Sequence, residues 1–122
     1  MAVCDACNNS EFPCDSAIVQ GHSGCLEELN EQRKRGRAVD WDDDLYEAAI
    51  VNGRVEMLIY LHAENLPMCD YNGFNQDWWE TAYSVANIRG HYACLWVSHR
   101  TFGGWHSHII GRIMQIFHNG HQ

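Results

Sequence analysis

Three alanine, glycine and leucine triplets recur in fixed register along the chain: Ala17, Gly21 and Leu26; Ala49, Gly53 and Leu58; Ala86, Gly90 and Leu95. The position before each leucine is Cys25, Met57 or Cys94, and three residues after it Leu29 and Leu61 agree while Ser98 departs. Successive glycines are 32 and 37 residues apart, so about five residues are inserted ahead of the third unit. A small residue near the end of one short helix lets a second helix approach closely, and glycine supplies the bend between them at little steric cost. After the bend, apolar residues return at helical spacing. Each unit is therefore a helix-turn-helix hairpin with an apolar flank that only a neighbouring hairpin can bury. The pattern predicts an all-α solenoid of about three such hairpins.

The same residues resemble the ankyrin repeat family, whose pattern of Thr-Pro-Leu-His, then Ala, then Gly-His is met in part by Pro13, Ala17, Gly21 and His22, by Ala49 and Gly53, and by Thr81, Ala86, Gly90 and His91. No unit has the full four-residue opening, and Arg54 replaces the histidine of the second. The stretch Tyr60 to Pro67 is similar to the divergent repeats of large DNA viruses and some protists. The resemblance covers roughly residues 9–102. It implies an ankyrin-like stack that works by binding another protein through its finger loops and concave face.

One domain is expected. Residues 1–10 form an N-terminal arm, 11–102 the three repeats, and 103–122 a C-terminal capping helix and tail. Phe102, Gly103 and Gly104 read as a break, followed by a helix from about Trp105 to His118 with Ile109, Ile110, Ile113, Met114, Ile116 and Phe117 on a broad apolar face. Its expected role is to shield the open end of the stack; an exposed helix that docks in a partner's groove is the alternative.

Charge narrows the partners. The formal charge of -8 repels a phosphate backbone, which argues against nucleic acid. All 16 acids lie in residues 1–80, against Arg33, Lys34, Arg35, Arg37 and Arg54, for a net -11. Residues 81–122 hold no acid but three arginines and six of the eight histidines, so the basic C-terminal segment either packs near the acidic body or offers an assembly contact. The first twenty residues lack the basic start and apolar run of a secretory signal. No apolar run approaches the roughly 18 residues needed to cross a bilayer. An intracellular setting is expected, in the cytoplasm or in a host cytoplasm or virion, with no membrane partner. The six cysteines then read as free thiols or metal ligands rather than disulfides.

Cys4-x-x-Cys7 has the spacing of half a zinc site, and Cys14, His22 or Cys25 could complete it. A second properly spaced pair is missing, His22 stands in the turn position and Cys14 and Cys25 in repeat core positions, so the cysteines read as core or loop thiols, and no metal or cofactor is expected. His106 and His108 stand two apart, so a helix would point them to different faces. The acids of Asp40-Trp41-Asp42-Asp43-Asp44 lack the ligand alternation and glycine of a calcium loop and read as the start of a helix near Leu45. No nucleophile elbow or phosphate loop is present, so no enzyme is expected.

The fingers of the stack are expected at 36–44 and 66–80. Trp41, Tyr71, Phe74, Trp78 and Trp79 are the expected partner-binding anchors, with Asp42 and Asp43 selecting a basic or polar rim. Adjacent helical residues cannot both face one core, so at least one of Trp78 and Trp79 is expected at the surface. Two further roles stay open: a structural component of a larger assembly such as a large DNA virus particle, and a small zinc-binding domain using Cys4 and Cys7.

Overall fold

Each triplet marks a helix, a left-handed bend and a second helix in the computed structural model, which describes residues 3–66 and 74–115. Every regular element among the described residues is a helix, and none is a strand. A single turn, α1 (Asp5–Asn8), precedes the hairpins α2 (Pro13–Gln20) with α3 (Ser23–Lys34), α4 (Asp44–Val51) with α5 (Val55–Ala63), and α6 (Phe74–Ile88) with α7 (Tyr92–Phe102); α8 (Gly104–Met114) follows. No described helix is long and apolar enough to cross a membrane.

The three bends are equivalent in detail. Gly21, Gly53 and Gly90 have φ of 77°, 71° and 80°, a region that side chains other than glycine enter at a cost. The next amide, that of His22, Arg54 or His91, donates to the carbonyl of Ala17, Ala49 or Ala86 at 2.8 Å in every case. This closes the last turn of the first helix as a Schellman motif does. The alanines are fully buried, as are Leu26, Leu58 and Leu95 to within 1%.

Successive first helices pack side by side, α2 on α4 and α4 on α6, while α5 packs on α7. Polar side chains tie each hairpin to the next. Arg54, in the place of the expected histidine, reaches back so that Nε and Nη2 donate to the carbonyls of Ile18 and Val19 at 3.1 and 2.9 Å. Arg89 donates to the Val51 carbonyl at 3.1 Å in the same way. These cations meet carbonyls of the last turns of α2 and α4, of which that of Ile18 also accepts from the Gly21 amide at 3.1 Å. On the second helices, the buried Asn30 donates to Tyr60 Oη at 3.0 Å and to Glu64 Oε1 at 2.7 Å.

The ends of the elements differ from the sequence reading in two places. The segment 74–80, expected within the second finger, is the first half of α6, because Trp79, Ala82, Tyr83 and Ala86 form a buried helical stripe there. The last helix spans Gly104–Met114, with Gln115 in a left-handed conformation at its end. Ile116 and Phe117 of the expected face lie outside the described residues. Helix α8 packs on α6 and α7 and buries His106, Ile109 and Ile110, which covers that end of the last hairpin.

Candidate binding groove and a thiol-imidazole cluster

The exposed side of α2, α4 and α6 forms a groove of about 380 Å³. Helix periodicity builds it. Asp44, Glu47, Ala48 and Val51 of α4, and Trp78, Thr81, Ala82 and Val85 of α6, each follow i, i+3, i+4, i+7 spacing, and Asp15 and Val19 of α2 stand four apart. The floor is thus aliphatic with carboxylates at one end. Among the described residues no Lys, Arg or His lines it. A smaller depression of about 190 Å³ shares Asp15 and Asp44 with the groove and adds Asp40 and Asp42, so the first finger extends the acidic end.

The carboxylates oppose one another. Burial, then the neighbouring Asp40 and Asp42, raise the pKa of Asp15. Burial, then Asp42, Asp43 and Asp15, raise that of Asp44. Glu47, only 7% exposed, is raised to about 8 by burial and then by Asp44, Asp43 and Asp42. A site that holds like charges in a partly dry setting favours an incoming cation, because its charge offsets their mutual repulsion and favours the ionised form that burial disfavours.

Of the expected anchors, Trp78 is 54% exposed on the groove and Trp79 is 1% exposed. Trp79 is therefore a core residue and not a surface anchor. Its ring packs on Tyr83, Phe102 and His106 with centroids 5.6, 6.1 and 4.9 Å away. Trp41 is half-buried against the core with the Arg33 guanidinium 4.8 Å over its ring, which occupies it within the chain. Tyr71 lies outside the described residues, and for Phe74 only the backbone, at the start of α6, is described.

The acids of the first finger divide their work. Asp42 Oδ1 accepts from the Asp44 amide at 3.1 Å at the start of α4, whereas Asp43 makes no side-chain cap. Asp40 caps a different helix: its two oxygens accept from the Cys14 and Asp15 amides at 2.8 and 2.9 Å, pinning the finger to the start of α2. In the Trp105-His106-Ser107-His108 run, His106 is buried with Nδ1 2.5 Å from Tyr83 Oη, and His108 is exposed. Burial lowers the His106 pKa to about 4.

At the opposite end of the stack, Cys4, Cys7, His22 and Cys25 bring one ligand atom each to within 4.8 Å of all the others. Cys14 stands apart, fully buried in the first turn of α2. His22 and Cys25 carry the same three-residue separation as Cys4 and Cys7, so a second spaced pair is present, contrary to the expectation from sequence, in residues that also serve the turn and the second helix. Hydrogen bonding from Cys7, backbone first and then side chain, lowers the Cys4 thiol to about 7, while burial raises Cys7 to about 12.

No protein-family model, curated protein or solved structure matches this chain.

Proposed function

We propose that the chain is a non-catalytic protein-interaction module, an ankyrin-like stack that takes a basic segment of another protein into the groove across its first helices. The observation that carries this reading is the groove itself: an aliphatic floor, one large exposed aromatic ring at Trp78, and Asp15, Asp44 and Glu47 with no cation among the described residues that line it. Lysine or arginine side chains of a partner would neutralise the carboxylates, and their aliphatic stems or an adjacent apolar residue would cover Val19, Val51 and Val85. Asp42 belongs to the rim of this surface, and Trp78 is its anchor. Because a bound cation favours ionised carboxylates, binding expels protons, and affinity rises with pH through the range in which Glu47 titrates.

The reading is tested by peptide display against the immobilised protein, with a Trp78→Ala/Asp44→Asn variant for counter-selection. Lys- and Arg-containing peptides should be enriched, should be released by salt, and should bind the variant at least about tenfold more weakly, a loss of about 1.4 kcal/mol. Enriched peptides without basic residues, or equal binding to the variant, would place the working surface elsewhere.

A further inference from the structure

We propose that Cys4, Cys7, His22 and Cys25 hold one zinc ion, which fastens the N-terminal arm to the first hairpin. The distances have the form of a coordination shell. His22 Nδ1 lies 3.5 Å from Cys4 Sγ and 3.5 Å from Cys7 Sγ. A single imidazole nitrogen has one proton or one lone pair and cannot serve two thiols equally as a hydrogen-bond partner. Tetrahedral zinc with sulfur at about 2.3 Å and nitrogen at about 2.05 Å sets the nitrogen-to-sulfur edge at about 3.6 Å. The donor set of three thiols and one imidazole is the one that zinc takes in closed structural sites, with all four positions filled by protein.

The surroundings fit the same role. The Cys4 amide donates to Cys25 Sγ at 3.4 Å, and Gln20 Nε2 donates to Cys7 Sγ at 3.9 Å. Such N–H groups stabilise the negative charge of metal-bound thiolates. A disulfide would use two of the sulfurs and leave the third sulfur and the imidazole without a reason to converge.

The repeat explains how the histidine is presented. His22, Arg54 and His91 are equivalent residues, each directly after the bend glycine. The side chains of Arg54 and His91 reach back over Gly21 and Gly53 of the preceding hairpin, closely enough that an added Cβ there would meet them at 3.1 and 2.6 Å. No hairpin precedes His22 among the described residues, and its ring meets the arm instead, where α1 carries Cys7 and Cys4 stands at its start. The metal thus does at the first hairpin what the side chains of Arg54 and His91 do between the later ones. A metal clip of this kind ties a short segment that could not bury enough surface to stay docked alone.

The test uses the full chain without a histidine tag, expressed with zinc in the medium. Metal analysis should find one zinc per chain, and chelation followed by cobalt(II) should give the intense visible bands of a tetrahedral site together with thiolate-to-cobalt charge transfer. Cys4→Ser and Cys25→Ser should each weaken cobalt(II) binding by more than the roughly 10- to 100-fold that loss of an outer-shell partner costs. Cys94→Ser, outside the cluster, should bind as the parent does. Cys4 lies on the arm, and circular dichroism of Cys4→Ser reports whether the hairpins remain folded. Zinc-free protein that also fails to give a tetrahedral cobalt spectrum would overturn the proposal. So would undiminished zinc in the Cys4→Ser/Cys25→Ser double variant.

Discussion

Gly53 bears the tightest demand in the stack, and its replacement by alanine separates two costs that the structure allows to be worked out. The first is conformational: at φ of 71° an alanine pays about 1 to 2 kcal/mol for a left-handed backbone. The second is steric, since the new Cβ would sit 2.6 Å from His91 Nδ1 and 2.8 Å from Cε1. The imidazole must leave its place on the preceding bend, which adds about 1 to 3 kcal/mol, the usual cost of overpacking. Gly90 provides the internal control, because φ is 80° and an added Cβ has open space around it. In urea denaturation followed by circular dichroism, Gly90→Ala should cost about 1 to 2 kcal/mol and Gly53→Ala about 2 to 5 kcal/mol. In a His91→Ala background, Gly53→Ala should fall back to the cost of Gly90→Ala, leaving a coupling energy of about 1 to 3 kcal/mol. Equal costs at the two glycines, with no coupling to His91, would refute the close stacking of one bend on the next.

Other substitutions probe the groove and the core. The pKa of Glu47 is raised on folding from 4.5 to about 8, so the folded state holds this proton where the unfolded state has released it. Stability is fully present below the unfolded value and is lost as pH rises through the folded one, by at most on the order of 5 kcal/mol. Glu47→Gln should flatten the stability profile between about pH 4.5 and 8 and be stabilising at the upper end; an unchanged slope in chemical denaturation across that window would contradict the burial of this carboxyl. Trp78→Ala should leave the urea midpoint nearly unchanged, whereas Trp79→Ala should cost about 3 to 5 kcal/mol; equal effects would mean the two rings are misassigned. Leu58→Ala, at a side chain with no exposure, should cost about 2 to 5 kcal/mol by the same assay, and a neutral result would place the second hairpin in another register.

The repeat was legible because its physical cause is local. A left-handed bend requires glycine, and a close helix crossing requires alanine, so Gly21, Gly53 and Gly90 with Ala17, Ala49 and Ala86 carry the fold in the sequence itself. Which of Trp78 and Trp79 faces outward depends on where α6 begins, and the apolar content of 74–80 fits a finger as well as a helix. The groove was harder to foresee, since Asp15, Asp44 and Glu47 come from two hairpins and meet only when α2 and α4 lie side by side. The thiol-imidazole cluster did leave a signal, the matching separations of Cys4 from Cys7 and His22 from Cys25. It was masked because His22 also fits the turn of the repeat, and only the approach of α1 to the first bend shows that one residue does both.

The equivalence of the three bends underlies both the groove and the arm's attachment, and amide hydrogen exchange reads it directly. The amides of His22, Arg54 and His91, each bonded at 2.8 Å to the alanine five residues earlier, should be strongly protected and should exchange together through openings close in free energy to global unfolding. Exchange of any one of the three at the rate of an unstructured peptide would contradict the stack.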